Sequence, residues 1–402
     1  MKPTIIHISP GAHYDKNLQD IESRHYGSWA TPFARKTLEY TDKYDLEIWK
    51  AYDPKDYGDH GATIRERDGI TFRLFPAKKY GPKYISFPLL KELVQRIKSG
   101  EQILIHLQGL HKIMAYLITR QCKNIPLVAQ QRGPNSFPMW QFKFRKNPGY
   151  LLSSLINNFT IQNFDFVFAC SIGETNYIKK KLGADRVLHQ KGGGFEFDQY
   201  IPRPKEDVRK ELGLPLDKKI MIHVGRFTKL KGIDIIIDVY KKLQKKYDLE
   251  LLFIGGNESQ PLYKDVAASG AIVKGYIPRG EVIKYINASD VYLMPSFDEE
   301  FIPFGGIGTA PLEALAMNVP VVSPLMVNFM GTKEELSRIA KVPSSQEDLV
   351  SDTEEILNNP VHYSNTRDIV MNYYQWENII SNTLKVYNRL LQKYYGGKTN
   401  ET

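Results

Sequence analysis

Residues 290–323 read DVYLMPSFDEEFIPFGGIGTAPLEALAMNVPVVS. Val291 to Met294 is a short apolar run, the pattern of a buried strand, and Pro295 stops it. A polar, acidic, glycine-rich loop follows from Ser296 to Gly308. Thr309 suits an N-cap and Pro311 the first turn of a helix. That helix carries Glu313 and ends near Asn318, and Val319 to Val322 forms the next strand. The stretch is a strand–loop–helix–strand unit. In open parallel sheets, ligands bind at the carboxyl ends of the strands, where this loop falls. Gly305, Gly306 and Gly308 leave backbone N–H groups open at a helix start, where the dipole favours anions. Glu313 lies one turn in, so its carboxylate can accept hydrogen bonds from a diol. A flexible loop before a core helix is the plainer alternative.

The flanking sequence repeats the same alternation. Upstream, Ile220 to Val224 is a strand ending in Gly225, and Ile233, Ile236, Ile237, Tyr240 and Leu243 recur at helical spacing. Leu251 to Ile254 ends in Gly255-Gly256, and Ile272-Val273 is followed by Gly275. A helix near Glu281–Ala288 leads into the quoted stretch. Downstream, a long amphipathic helix spans roughly Tyr373 to Tyr395. The first half alternates too, with strands at Thr4–Ser9, Leu46–Trp49, Ile70–Phe75, Gln102–Leu107, Pro126–Gln130, Asp165–Ser171 and Arg186–His189. Strands alternating with helices predict an α/β fold, with parallel sheets covered by helices on both faces. Gly192-Gly193-Gly194 and Tyr200 to Pro204 mark a break between two halves. The expected organisation is residues 1–200 as one Rossmann-like domain and 201–372 as a second. Residues 373–402 form a terminal helix and tail that pack back towards the first.

A chain of 402 residues with 42% hydrophobic and 25% charged residues has the composition of a soluble globular protein of about two domains. No apolar stretch is long enough to span a membrane. The opening MKPTIIHISPG has a strand pattern and not that of a signal peptide. Cys122 and Cys170 make neither a disulfide framework nor a metal spacing, and a reducing cytoplasm is the expected compartment. The net charge of +9 is uneven. Residues 1–200 hold 29 Lys and Arg against 19 Asp and Glu, a balance of +10. Residues 101–150 alone hold 7 basic residues and 1 acidic residue.

Gly225-Arg226 ends one strand, and Lys231-Gly232 opens the helix after it. Two cations at such a turn suit a diphosphate, and the helix start adds its own positive end. Lys229 is a third basic group nearby, so charge alone does not select the lysine.

Here the residues carry a resemblance. GRFTKLKG, residues 225–232, resembles the G-R-x-x-x-x-K-G segment of glycosyltransferase family 4. DVYLMPSFDEE…LEALAMNVPVVS is similar to that family's acidic donor motif and the strand after it. KGYIP, residues 274–278, looks like its base-binding turn, and KGGGFEFDQY, residues 191–200, like its linker. Residues 373–391 are similar to its terminal helix. The resemblance covers the second half well and the first loosely. It implies a GT-B fold, in which two Rossmann-like domains face across a cleft. It also implies retaining transfer of a hexosyl unit from a UDP- or GDP-sugar, with no metal and no further cofactor.

Carried over by position, Arg226 and Lys231 would hold the donor diphosphate and Glu313 the ribose. Gly225, Tyr276 and Ile277 would line the nucleotide site, and Phe304, Gly305 and Gly306 the transferred sugar. His106 would contact that sugar from the first half, where His106, Gln108 and His111 sit at a strand end; a core or capping histidine is the alternative. Gly11 and its turn would approach the phosphate or the acceptor. One departure stands out. The family spaces two glutamates eight positions apart, yet position 305 here is glycine and the nearest upstream acids are Glu299 and Glu300. A five-residue insertion that leaves Glu300 in the catalytic role is preferred over a missing glutamate. Asp298-Glu299-Glu300 lacks the spacing of a metal site.

A non-catalytic nucleotide-sugar-binding protein and a GT-B sugar-nucleotide epimerase are the rival readings. The epimerase needs paired acid–base carboxylates from both halves, which cannot be assigned. Nucleic acid is not an expected partner, because no zinc-finger, basic-zipper or RNP-type motif accompanies the basic charge. The expected acceptor is a glycan or a lipid-linked glycan. Trp140, Phe142, Phe144 and Tyr150 interleave with Lys143, Arg145 and Lys146. That pattern predicts peripheral docking on an anionic membrane, at its inner face; a basic loop over the acceptor cleft of a soluble glycan enzyme is the alternative.

Overall fold

The structure, a computed structural model, describes residues 2–9, 26, 30–80, 83–110, 113–131, 149–297, 302 and 304–396. The chain divides into two units, residues 1–194 with 376–402, and residues 195–375. The first boundary thus falls ahead of residue 200, and the terminal helix belongs to the first unit. Gln375 accounts for the second crossing. It is extended, forms a β-bridge with Phe195, and separates the helix Thr366–Tyr374 from Trp376–Tyr395. The single helix expected from Tyr373 onward is therefore two.

In the first unit the strands are β1 (Thr4–Ser9), β2 (Asp45–Tyr52), β3 (Thr63–Arg67), β4 (Ile70–Pro76), β5 (Lys78–Tyr80), β6 (Lys83–Ile85), β7 (Ile103–Gln108), β8 (Leu127–Gln130), β9 (Phe166–Ala169) and β10 (Val187–His189). Eight of them form one sheet in the order β10-β9-β8-β7-β1-β2-β4-β3. It is parallel except for β3, which pairs antiparallel with β4. β5 and β6 form a separate antiparallel pair. Side chains alternate across the sheet. Ile103, Ile105 and Leu107 face Leu89, Leu93, Met114 and Ile118. Leu104, Val128 and Phe168 face the other way, onto Val386, Tyr387, Leu390 and Leu391 of the terminal helix.

The second unit holds β11 (Lys219–Val224), β12 (Leu249–Ile254), β13 (Ile272–Lys274), β14 (Val291–Leu293), β15 (Val321–Val322) and β16 (Ala340–Lys341). They pair in parallel in the order β13-β12-β11-β14-β15-β16. Ile220, Ile222 and Tyr292 pack on one face with Leu312, Leu315 and Val370. Met221, Phe253 and Leu293 pack on the other with Ile233, Ile236 and Tyr240. Both faces are covered, which explains why these strands read as apolar runs. Gly308, and not Thr309, is the N-cap of the helix Thr309–Ala316; Thr309 already lies in its first turn.

Candidate functional site

Strand β11 lies inside the second sheet, between β12 and β14, so its carboxyl end opens among three strand ends. Two glycines shape that corner. A Cβ on Gly225 would lie 3.0 Å from His223 Nε2. Gly232 has φ +67°, and a Cβ there would fall 2.1 Å from the Pro295 carbonyl oxygen, so the turn packs directly on the end of β14. Gly232 is also the N-cap of the helix Ile233–Leu243. Residues Lys229–Lys231 form a single 3₁₀ turn, and the Ser296 hydroxyl donates to the Leu230 carbonyl at 2.5 Å. The turn that carries the cations is therefore clasped by the loop after β14.

The three basic residues of this turn separate by burial. Arg226 and Lys229 are exposed, whereas Lys231 is half-buried with its Nζ 3.8 Å from Met294 Sδ. Neither Arg226 nor Lys231 has a carboxylate partner among the described residues. Burial first, and the Arg226 guanidinium second, push the Lys231 ammonium below its ordinary value. An ammonium partly stripped of water, next to another cation and with no counter-ion among the described residues, is in a place that favours an anion. This selects Lys231 over Lys229. Beneath it, His223 is fully buried, and its Nδ1–H donates to the Leu293 carbonyl at 2.8 Å. Burial brings His223 down to about 4; the Leu293 bond opposes this and the Lys231 charge adds to it. The neutral ring is thus a wall of the corner.

Glu313 is buried in the helix Thr309–Ala316. Its Oε1 takes an ion pair from Arg279 Nη2 at 2.8 Å and a hydrogen bond from the Tyr200 hydroxyl at 3.0 Å. Arg279 also donates to the Tyr200 hydroxyl, with its guanidinium carbon 5.5 Å from the phenol ring centre. Glu313 is close to the β11 corner as well. Its charge raises the Tyr292 phenol, after burial as the larger cause, and Tyr292 donates to the Val224 carbonyl at 3.1 Å. The second unit therefore brings Gly225, Arg226, Lys231 and Glu313 to one end of its sheet.

The remaining second-unit candidates surround this end less closely. Tyr276 follows β13 and is 92% exposed, and Ile277 packs its side chain against the core. Phe304 and Gly305 are half-buried and Gly306 is buried. Glu300, with Asp298 and Glu299, lies outside the described residues, as do Gly11, His111 and the basic–aromatic residues 140–146. Among the described residues, no group of three or more His, Cys, Asp or Glu stands where it could hold a metal ion.

His106 stands in β7 of the first unit. It shares the parity of Leu104, which turns it onto the terminal-helix face of the first sheet. There it is fully buried, bonded through Nδ1 to the Tyr387 hydroxyl, and packed against the rings of His7, Phe33 and Phe168. Its described surroundings are those of a core histidine, the alternative that the sequence left open. Tyr200 and Arg279 were missed by the sequence reading. They stand 113 and 34 positions from Glu313, and no helical or strand periodicity connects them.

Residues 204–375 match the family described as Glycosyl transferases group 1. That match lies within the second unit and covers less than half of the chain. A glycosyltransferase assigned to teichuronic acid biosynthesis in Bacillus subtilis is 36% identical over 144 residues, which cover 36% of this chain and 34% of that protein. The chain spans about a third to just over a half of the length of these curated relatives that it matches. Sucrose-phosphate synthase from Thermosynechococcus elongatus has the same fold, with a TM-score of 0.64 at 18% identity, over 97% of this chain and 100% of that one. HepE from Anabaena, solved in complex with UDP, matches with a TM-score of 0.66 at 14% identity, over 96% and 100% of the two chains. The fold is GT-B, as the sequence motifs imply.

Proposed function

We propose that the chain is a retaining glycosyltransferase of family 4 that moves a hexosyl unit from a nucleoside diphosphate sugar to a glycan or lipid-linked glycan. The observation that carries this reading is Lys231, half-buried, beside Arg226 and without a carboxylate partner among the described residues. The group 1 match over the same residues, and the UDP seen in HepE, support a nucleotide as the anion.

The mechanism follows from where charge develops. As the bond from the sugar's anomeric carbon to phosphate breaks, negative charge grows on the diphosphate. In this reading Arg226 and Lys231 face that charge and stabilise the transition state more than the ground state. The acceptor oxygen bonds to the anomeric carbon on the face the phosphate leaves, and its proton passes to a phosphate oxygen. No separate base is needed. Two fixed cations supply the charge that a metal would otherwise supply, and transfer is expected to survive EDTA. Glu313 accepts from the ribose, Tyr276 and Ile277 meet the base, and Glu300 serves the sugar end.

The acceptor side rests on the basic first half and its residues 140–150, read as a peripheral contact with anionic lipid. No described helix is long and apolar enough to cross a membrane. Co-sedimentation with anionic but not neutral vesicles tests this part. The central reading is tested by a panel of UDP-, GDP- and ADP-sugars, scored for binding and slow hydrolysis with and without EDTA. One nucleotide class should bind and release its sugar in both conditions. No binding by any member would overturn the reading, and activity restored after EDTA only by a divalent ion would overturn its metal-independent form.

A further inference from the structure

The most informative polar cluster outside the cation turn is Tyr200–Arg279–Glu313. Both protein donors to the Glu313 carboxylate converge on one oxygen: Arg279 Nη2 and the Tyr200 hydroxyl each reach Oε1, at 2.8 and 3.0 Å. Among the described residues, Oε2 has no protein donor. A carboxylate has two lone-pair-bearing oxygens, and a buried one left short of donors is costly. Here the arrangement has a rigid side and an open side.

The rigid side is well anchored. Tyr200 is 1% exposed, its ring lies 4.4 Å from that of Phe195, and its carbonyl accepts from Arg367. Arg279 is the first residue of the helix Arg279–Asn287, and its guanidinium reaches Glu313 and Tyr200 together. Glu313 stands in the helix that follows the loop after β14, and Tyr292 of β14 donates to the carbonyl of Val224, the residue before Gly225, so the carboxylate and the cation turn belong to the same end of the sheet.

Resting on the donor-site reading above, we propose that Arg279 and Tyr200 are positioning residues: they occupy Oε1 of Glu313, fix the plane of its carboxylate, and leave Oε2 as the acceptor for a ribose hydroxyl of a nucleoside diphosphate. A diol presented to a carboxylate of fixed orientation forms its bond without first immobilising the side chain, and that preorganisation appears as ribose selectivity. Without Arg279 and Tyr200, the carboxylate rotates and the preference for the hydroxyl fades. The cations of the turn keep their hold on the diphosphate.

Calorimetric titration with UDP, GDP and ADP, each beside its 2′-deoxy counterpart, tests this on the full chain. The wild type should favour one ribonucleotide over its 2′-deoxy form by about tenfold or more, the worth of a hydrogen bond to a charged acceptor. Tyr200→Phe, which keeps the ring packing, and Arg279→Ala, at a side chain 59% exposed, should each reduce that preference to about threefold or less. Their affinity for the 2′-deoxy nucleotide should stay near wild type. Arg279→Lys should recover part of the preference. A purely structural role would lower affinity for both nucleotides alike. Variants that retain the full wild-type preference, or that weaken both nucleotides equally, overturn the positioning role while leaving the donor-site reading intact. A wild type that binds none of the six overturns the donor-site reading and this inference with it.

Discussion

The strands β7 and β11 have much in common, and the difference between them locates the site. Each lies inside a parallel sheet and carries a fully buried histidine near its carboxyl end, His106 in β7 and His223 in β11. His106 is held by the Tyr387 hydroxyl among aromatic rings, so its polarity is absorbed by the core. His223 is likewise held, by the Leu293 carbonyl, but above it stand Arg226 and Lys231 without carboxylate partners among the described residues. In their described contacts both histidines are held by the core. The useful signal is a charge for which the described residues provide no carboxylate.

Removing those charges should have the largest effect. Arg226→Ala and Lys231→Ala are each expected to cost about 2.7–4 kcal/mol of transition-state stabilisation, by analogy with deleting an oxyanion-hole donor. Steady-state kinetics beside a denaturant titration would show activity lost and the fold retained. If turnover is near normal, the cations lie on an ordinary solvated loop and the contrast with β7 disappears.

His106→Phe should do the opposite. It leaves the buried Tyr387 hydroxyl without its imidazole partner, so stability should fall by about 1–3 kcal/mol. Nucleotide affinity should not change. The denaturation midpoint and a nucleotide titration on the same preparation separate the two effects, and a loss of affinity at unchanged stability would return His106 to the site.

The terminal helix shows how far sequence reading reached. Apolar runs at β1, β7, β11, β12 and β14 were legible because parallel strands covered on both faces must be apolar throughout. β3 was not, because TIRER is an edge strand with mostly exposed residues and no apolar run. The break at Gln375 depends on a bridge to Phe195, 180 positions away, which helical periodicity cannot reveal. Gly225, Arg226, Lys231 and Glu313, which the fold brings to one end of the second sheet, were legible because each belongs to a short contiguous motif. For His106 the sequence left both a site role and a core role open, because strand parity shows that a residue is turned to one face, not whether a helix covers that face. Tyr200 and Arg279 act only through a tertiary contact with Glu313, and no local pattern marks them.

A gentler probe is pH. Lys231 is held below its ordinary value by burial and by Arg226, and only its protonated form attracts a diphosphate. Affinity should therefore be full at neutral pH and fall as the pH rises through that lowered value, sooner than for a solvated lysine. Lys231→Arg, which stays charged, should remove the alkaline limb. A limb that survives this substitution arises elsewhere.

The smallest effect is expected at Lys229. It shares the turn and the charge of Lys231 but is exposed, and Lys229→Ala should change donor affinity by no more than about 0.5 kcal/mol. A loss as large as that of Lys231→Ala would mean that charge, and not burial, selects the residue.

The most direct measurement is the dissociation constant of UDP, GDP and ADP, by calorimetry, for the wild type, Lys231→Ala and His106→Phe. The account predicts that one nucleotide binds the wild type and His106→Phe equally, and binds Lys231→Ala at least about tenfold more weakly, as expected for losing one charge-assisted contact. Equal affinity in the wild type and Lys231→Ala, or no binding of any of the three to the wild type, would contradict it.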